Sequence, residues 1–144
     1  MSAPPLEPGS RVADLEIPPI SRTILALFAG ASGDHNPIHI DLDVARSAGL
    51  SDVFAHGMLS MAYLGRLLTD NFPVQQIRSF SVRFTAITPV HGEPTCRGVV
   101  RAVDRVGDES TIALDLGVVL ADGTPTVSGE AVISVEAPEP RRQR

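Results

Sequence analysis

Residues 57–70 read GMLSMAYLGRLLTD, and this stretch decides the fold. Its apolar residues cover most of the circumference of a helix rather than one stripe, a pattern that is typical of a buried helix. Pro73 follows closely and predicts the end of the helix, because proline lacks the amide hydrogen that a further turn requires. The chain therefore contains one apolar helix that needs protein contacts on nearly every side.

The chain beyond this helix changes to alternating apolar and polar residues, which predicts β-strands. Gly107-Asp108 and Asp122-Gly123 lie between strand-like runs and are typical of hairpin turns. The runs cover residues 79–86, 97–106, 112–120 and 127–135. One apolar helix upstream of four long antiparallel strands predicts an α+β fold in which the sheet curls around the helix.

The segment upstream of the apolar helix carries signals for three short elements. They are a strand over 11–17, a helix capped by Ser21 that runs to about Ala29 before Gly30 and Gly33, and a helix capped by Asp41 or Asp43 that runs to Ala48 before Gly49. A capping side chain accepts a hydrogen bond from the first amides of a helix, and glycine readily ends one. Residues 32–39, between the two helices, are therefore predicted to form a loop.

The composition indicates one globular domain. The chain has 144 residues, of which 43% are hydrophobic and 20% charged, and these values exclude wholesale disorder. We place the domain at residues 11–136, after a flexible, proline-rich lead-in at 1–10 and before a flexible tail at 137–144. The net charge of −5 gives no electrostatic reason to expect nucleic acid or an anionic membrane as the main partner.

The cysteine content and the apolar runs bear on the compartment. Cys96 is the single cysteine, so an intrachain disulfide or a cysteine-cluster metal site cannot form. The first residues lack the charged start and apolar run of a signal peptide, and no apolar stretch approaches the length of a transmembrane helix. We therefore expect a cytoplasmic protein without membrane contact.

The predicted loop contains an acid and a histidine that suit acid–base chemistry. Residues 32–39 read SGDHNPIH, so Asp34 and His39 lie on a segment that Pro37 stiffens. A carboxylate and an imidazole on one loop can hydrogen-bond one water, remove a proton from it and deliver a proton to a substrate. Asn36 can satisfy backbone groups of the loop. Without any other signal, the same pair can equally be a turn residue and a half-buried histidine.

A metal site is the alternative for this loop. Asp34, His35 and His39 are residue types that bind zinc or iron. Neighbouring ligands on a non-helical loop are awkward for a single ion, and no fourth ligand is spaced nearby. We therefore predict no metal.

The start of the apolar helix offers a hydrogen-bond donor. The first amides of a helix have no internal acceptor, and the helix dipole adds positive potential there. If Gly57 begins the helix, its N–H can approach an acyl carbonyl and stabilise the enolate-like oxygen that forms when a nucleophile adds to a conjugated thioester. Alternatively, Gly57 only relieves crowding where the helix enters the core. His56 is predicted to cap the turn.

These two segments together resemble the hydratase motif of a known family. Residues 32–39, SGDHNPIH, followed by 55–58, AHGM, are similar to the G-D-x-N-P-[LIV]-H core and the H-G-M helix start of the MaoC-like (R)-specific enoyl-CoA hydratases and dehydratases. The resemblance runs from about Arg11 to Glu136. It implies a hot-dog fold, a long helix wrapped by an antiparallel sheet, which the helix and strand patterns also predict.

The resemblance implies roles for single residues. Asp34 and His39 match the catalytic pair that activates water. The Gly57 amide matches the oxyanion donor, and Asn36 matches the asparagine of the motif beside the substrate.

One position departs from the family pattern. Some members have a serine eight residues after the glycine, where this chain has Gly65. The smaller residue predicts room for a bulkier or longer acyl chain, or a different hydrogen-bond arrangement. Ser60 is placed elsewhere on the helix and is not expected to substitute.

The activity implied by the resemblance is reversible hydration of trans-2-enoyl thioesters to (R)-3-hydroxyacyl thioesters, a lyase reaction of fatty-acid, polyketide or sterol side-chain metabolism. It requires no cofactor, and coenzyme A or acyl carrier protein is the carrier of the substrate. An oligomer is predicted because the sheet leaves a strand edge that benefits from pairing. A homodimer is the simplest form, and a heterodimer with a second hot-dog subunit is the other.

Two further functions stay open. The first is a non-catalytic subunit that shapes the acyl tunnel of an active hot-dog partner, although such a subunit has no physical need for both Asp34 and His39. The second is a hot-dog thioesterase, which directs water at the carbonyl carbon rather than at Cβ. The loop sequence resembles that of hydratases more closely.

Overall fold

A computed structural model describes residues 5–136, and the α+β architecture predicted from the sequence is confirmed. The strands are β1 (Leu15–Glu16), β2 (Ile77–Phe84), β3 (Thr95–Val106), β4 (Glu109–Val119) and β5 (Pro125–Glu136). The helices are α1 (Arg22–Ser32), α2 (Leu42–Ser47) and α3 (Gly57–Asn71), with 3₁₀ turns at Pro37–His39 and Val74–Gln76. Each long helix and strand that the sequence predicts therefore has a counterpart.

The five strands form one antiparallel sheet in the order β1-β3-β4-β5-β2. β3, β4 and β5 are joined as consecutive hairpins by the two predicted turns, whereas β2 crosses over to pair with β5. β2 lies at one edge of the sheet, and the two-residue β1 lies at the other. The strand predicted over 11–17 is thus shorter than expected, with Arg11 making an isolated bridge to Val99.

The sheet curls around α3 because its strands are bent. Register shifts between Ile77 and Ser79 in β2 and between Val100 and Ala102 in β3 mark irregularities of the kind that increase twist. Gly129 allows β5 to approach β2 closely, since a Cβ atom there would lie 2.5 Å from the carbonyl oxygen of Ser81. The hot-dog arrangement of a helix inside a curled sheet follows.

The helix α3 is buried along one stripe, so the prediction of burial on nearly every side is wrong. Leu59, Leu64 and Leu67 face the core, whereas the side chain of Met58 is 54% exposed and Ala62 is exposed. The reason is geometric, because a five-stranded sheet covers only one side of the helix. Apolar composition alone does not tell which side that is.

Helix α1 also differs from its prediction at its end. Ser21 caps it through its side chain as expected, but the helix passes Gly30 and ends only at Gly33. Gly33 has φ 77°, the left-handed conformation that glycine tolerates best, and its N–H donates to Ala29. The predicted loop over 32–39 therefore shrinks to four residues between α1 and the 3₁₀ turn.

The predicted domain boundaries stay predictions. Residues 1–4 of the lead-in and the tail at 137–144 lie outside the described residues. Gly9 donates its N–H to the carbonyl of Val100, and the N–H of Val100 donates to Ser10, so this part of the lead-in lies against β3. Across residues 5–136, none of the helices is both long and apolar enough to cross a bilayer.

Candidate active site

The loop after α1 is held by hydrogen bonds from its own side chains. The N–H of Asp34 donates to Ser32 Oγ at 3.2 Å, and Asp34 Oδ1 accepts from the N–H of Asn36 at 3.2 Å. Asn36 Oδ1 in turn accepts from the N–H of Ile38 at 3.2 Å and caps the 3₁₀ turn. The predicted backbone role of Asn36 is confirmed, while its contact with a substrate stays a prediction. The carboxylate of Asp34 lies on an exposed residue.

His39 lies in the 3₁₀ turn and is 8% exposed. Its Nδ1 is 2.8 Å from the carbonyl oxygen of Phe54, and its ring packs edge-on against the ring of the same residue. A carbonyl oxygen accepts and cannot donate, so Nδ1 carries the hydrogen and Nε2 keeps its lone pair when the ring is neutral. His39 is therefore oriented as a base through Nε2.

His56 lies at the N-cap position of α3 but does not cap it, so the predicted capping role is wrong. Its Nε2 lies 3.1 Å from the carbonyl oxygen of Asp34, and its ring stacks on His39 with 4.0 Å between centroids. Burial lowers the pKa of His56 below its ordinary value, and the charge of His39 lowers it further, against the opposing effect of the hydrogen bond to Asp34. The sequence contains no signal for this contact beyond its place before Gly57.

Asp34, His39 and His56 bring one possible metal-ligand atom each within 4.8 Å of the others. His35, the third member of the metal site considered from the sequence, is exposed and does not belong to this group. The stacked imidazoles are inclined by only 29°, so their in-plane lone pairs lie in offset, nearly parallel planes. Such lone pairs do not converge on one ion, and the arrangement suits proton transfer better than metal binding.

Gly57 begins α3 as predicted. Within residues 5–136 no protein group accepts a hydrogen bond from its N–H, which is therefore free to bind a substrate oxygen. A Cβ atom at this position would lie 3.2 Å from the ring of Phe84, so the alternative that glycine relieves crowding also holds. The two roles of Gly57 are compatible, because the absence of a side chain makes room for the Phe84 ring and also leaves the Gly57 N–H accessible.

A cavity of about 410 Å³ opens beside Gly57. Its walls are Phe54, Ala55, Gly57, Ser60, Phe84, Thr85, Ala86, Ile87, Thr88 and Val127. Asp34 and His39 are not among the lining residues, but Phe54, which orients His39, is. Asp34 and His39 are thus joined to the cavity through Phe54 and the start of α3.

Ser60 faces this cavity, although the sequence places it away from the site. It is 2% exposed, and its Oγ lies 3.5 Å from Thr88 Oγ1, a long contact for two hydroxyl groups. Side chains of a helix lean toward its amino terminus, which carries Ser60 over the first turn. Thr88 comes from the segment after β2, and its approach to the helix has no signal in the sequence.

Gly65 lies about two turns after Gly57 in α3 and is not among the residues that line the cavity. A Cβ atom there would lie 3.7 Å from Phe80 Cε1, which is an ordinary contact. Close packing therefore does not require glycine at this position, and its predicted role in an acyl tunnel stays a prediction.

Comparison with known proteins places these features in a family. The sequence model of the MaoC like domain matches residues 7–120. An (R)-specific enoyl-CoA hydratase of Rhodospirillum rubrum is 31% identical over 124 residues, which cover 82% of this chain and 81% of that protein. The 3-hydroxyacyl-thioester dehydratase Z of Mycobacterium tuberculosis is 26% identical over 133 residues, which cover 87% of this chain and 88% of that protein.

A solved structure agrees with the sequence relatives. The (R)-hydratase of A. caviae involved in PHA biosynthesis has a TM-score of 0.79 and 28% sequence identity, covering 94% of this chain and 100% of that one. The family match spans most of the chain, and the hot-dog fold is shared. The protein therefore belongs to the MaoC-like dehydratase family.

Proposed function

We propose that this chain catalyses the reversible hydration of trans-2-enoyl thioesters to (R)-3-hydroxyacyl thioesters. The observation that carries the proposal is the orientation of His39, whose Nδ1–H is held by the carbonyl of Phe54 so that Nε2 is free to accept a proton. A ring nitrogen of His39 and a carboxylate oxygen of Asp34 lie within 4.8 Å of each other, a separation that one water molecule can bridge. Acid–base chemistry on a bound water follows from this pairing.

The proposed steps balance without a further reactant. The oxygen of water bonds to Cβ while one of its hydrogens passes to Nε2 of His39, and the electron pair of the double bond moves toward the thioester carbonyl. That proton then passes from His39 by way of Asp34 to Cα, which restores the carbonyl and leaves both side chains as they began. The net change is addition of one water.

Gly57 supplies the proposed stabilisation of the intermediate. Its N–H is unpaired within residues 5–136 and lies at the positive end of α3, next to the cavity. An enolate oxygen that accepts from this amide gains more than the neutral carbonyl of the substrate does, which lowers the barrier rather than only tightening binding.

The carrier, the pathway and the location belong to the proposal. We expect coenzyme A or acyl carrier protein to carry the acyl group, no cofactor to take part, and the pathway to be one of fatty-acid, polyketide or sterol side-chain metabolism. A cytoplasmic location stays an expectation from the sequence. The acyl group enters the cavity beside Gly57, whose walls are mainly apolar.

We also propose that the chain works as a dimer. β2 lies at the edge of the sheet, and it ends in Phe84, which is 49% exposed, with Ile87 beyond it 55% exposed. An exposed edge strand with apolar residues at its end favours pairing with another chain. Light scattering should give the mass of a dimer for the purified chain or for a mixture with a second hot-dog subunit, and a monomer in both samples would contradict the proposal.

The decisive assay follows the enoyl absorbance of crotonyl-CoA and of a long-chain analogue, with chiral analysis of the product. Loss of absorbance with formation of the (R)-3-hydroxyacyl thioester is the expected result. A thiol reagent in a parallel sample detects free coenzyme A, which would indicate a thioesterase instead. No change in either signal, with the chain alone and with a hot-dog partner, would contradict the proposed activity.

A further inference from the structure

His56 is more deeply buried than His39, and only one of its two ring nitrogens has a hydrogen-bond partner within residues 5–136. It is 1% exposed, and its Nε2–H donates to the carbonyl of Asp34 at 3.1 Å. Because Nε2 carries the hydrogen, Nδ1 has a lone pair, and this atom has no hydrogen-bond partner within residues 5–136. A buried acceptor without a partner destabilises a fold. An apolar ring of similar size would fill the same space without that penalty, so packing alone does not explain a histidine here.

His56 contacts both members of the proposed catalytic pair, Asp34 through a hydrogen bond and His39 through ring stacking. Its N–H holds the backbone of Asp34, 22 residues away in sequence, and its face stacks on His39 at 4.0 Å. Phe28 of α1 packs edge-on against it with 5.0 Å between centroids, and Phe54 packs edge-on against His39. Each imidazole is therefore packed against a phenylalanine ring as well as against the other imidazole, and these contacts restrict its movement.

The neutral form of His56 is compatible with a place beside His39. A second positive charge 4.0 Å from His39 would oppose protonation of the base during turnover. His56 is kept neutral mainly by burial, so it orients the base without repelling the proton that the base must accept. A lysine or arginine with the same donor would lack this property.

We propose that His56 is a positioning residue for the reaction, holding the Asp34 backbone through its Nε2–H and the His39 ring by stacking. The inference rests on the proposed function. It adds a third residue to the catalytic pair, one that touches neither water nor substrate. Its loss should lower kcat by letting the two reacting groups move apart, while substrate binding stays close to normal.

Two variants separate the two contacts. His56→Phe keeps a ring to stack on His39 but has no donor for Asp34, whereas His56→Gln keeps a side-chain N–H but has no ring. We expect kcat of each folded variant to fall by about tenfold to a hundredfold with little change in KM. The melting temperature of His56→Phe should stay near that of the wild type, because removal of the unpaired Nδ1 offsets loss of the hydrogen bond to the Asp34 carbonyl. His35→Gln, at the exposed histidine next to Asp34, is the matched control and should keep wild-type values.

A ring-nitrogen NMR measurement tests the positioning without using activity. In the wild type, the ring ¹⁵N signals of His39 should be single and sharp, and in His56→Gln they should broaden or split, because the ring loses its stacking partner and samples more than one orientation. This result is readable even if the wild type does not hydrate crotonyl-CoA, so a failure of the proposed function is recognised separately. If His56→Phe does not fold, His56→Gln is judged by the same criteria.

Three results would overturn the inference. One is a folded variant whose kcat stays within roughly threefold of the wild type. Another is a loss of activity that lies in KM or that equals the fraction of unfolded protein, because either would indicate binding or stability rather than positioning. The third is a set of His39 ring signals that stays single and sharp in His56→Gln.

Discussion

The two halves of α3 differ in what they bury. The second half packs Leu64, Leu67 and Leu68 against the apolar faces of β3, β4 and β5. The first half, taken together with its N-cap residue His56, contacts α1 and the loops that precede α3, and the buried residues there include His56 and Ser60. A single helix thus carries an apolar half and a half with buried polar groups.

This difference separates stability from chemistry along 15 residues of helix. Apolar burial stabilises the fold in proportion to the area removed from water, whereas buried polar groups cost free energy unless they are paired. In the first half, the Gly57 N–H and the Nδ1 of His56 have no protein partner within residues 5–136. Groups of this kind are typical of sites where a ligand or a reaction uses what the fold leaves free.

The largest expected effect is loss of activity when Asp34 or His39, which contact His56 at the start of α3, is replaced. Asp34→Asn and His39→Gln should each lower turnover by at least about a hundredfold, because each removes a group that transfers a proton. The melting temperature should stay near that of the wild type, since Asp34 is exposed and glutamine keeps a side-chain amide near the Phe54 carbonyl. Steady-state kinetics with thermal denaturation checks both statements. Near-wild-type activity in either folded variant would exclude the mechanism.

In the second, apolar half of α3, a substitution should lower stability and leave turnover unchanged. Leu67 is fully buried, and Leu67→Ala should lower the free energy of unfolding by about 2–5 kcal/mol through lost burial and the cavity left behind. Turnover per folded molecule should remain near that of the wild type, because the side chain contacts no group of the site. Denaturant unfolding and kinetics on the same sample measure both quantities. A large fall in kcat with unchanged stability would contradict the division between the two halves.

Gly65 lies near the boundary between the halves and sharpens the comparison. Gly65→Leu should abolish activity on long enoyl thioesters and spare crotonyl-CoA if the glycine leaves room for an acyl chain. If the larger leucine side chain instead overpacks against Phe80, both activities and the melting temperature should fall together, with a loss of about 1–3 kcal/mol in the free energy of unfolding. Gly65→Ala is the control, because a Cβ atom 3.7 Å from Phe80 Cε1 fits without a clash.

The smallest expected effect concerns the stability of the polar end in acid. The pKa of His56 is lowered from 6.5 in the folded protein, mainly by burial, while nearby His39 lowers it and Asp34 raises it. Below pH 6.5, His56 in the unfolded chain binds a proton that it does not bind in the folded chain. The free energy of unfolding therefore falls as the pH drops from 6.5 toward the pKa of His56 in the folded protein.

His56→Phe lacks this contribution and provides the comparison. Its melting temperature relative to that of the wild type should rise when the pH is lowered from about 7.5 to about 5.5. Parallel thermal denaturation at the two pH values measures the difference. An unchanged difference between the two proteins would show that His56 does not titrate with unfolding in this range.

The sequence predicts most of the fold because its strongest patterns are local. Alternation over the strand runs and the density of apolar residues in α3 need no partner to be recognised. The end of α1 is mispredicted because a single glycine inside a helix costs only about 1 kcal/mol, so Gly30 is tolerated, and the helix ends at Gly33, which takes the left-handed conformation. The exposed side of α3 is mispredicted because hydrophobicity does not state which surface is covered.

The site is predictable only where its residues are close in sequence. The loop motif carries Asp34, Asn36 and His39, and its turn residues explain why they are held rigidly. The contact of His56 with Asp34 and the approach of Thr88 to Ser60 depend on how separate elements pack. No periodicity or spacing reports such contacts, so they appear only in three dimensions.

The crossover of β2 has a consequence for how the protein is made. β2 leaves the ribosome before β3, β4 and β5, yet in the sheet formed by residues 5–136 it pairs with β5, the last of them. Phe84 at the end of β2 faces Val127 of β5 across the pairing, and both residues line the cavity. Pairing of distant segments is slow compared with hairpin formation. During synthesis, the β3–β4 hairpin can therefore form before β5 is available, and the cavity wall that Phe84 and Val127 build is complete only after β5 has paired with β2.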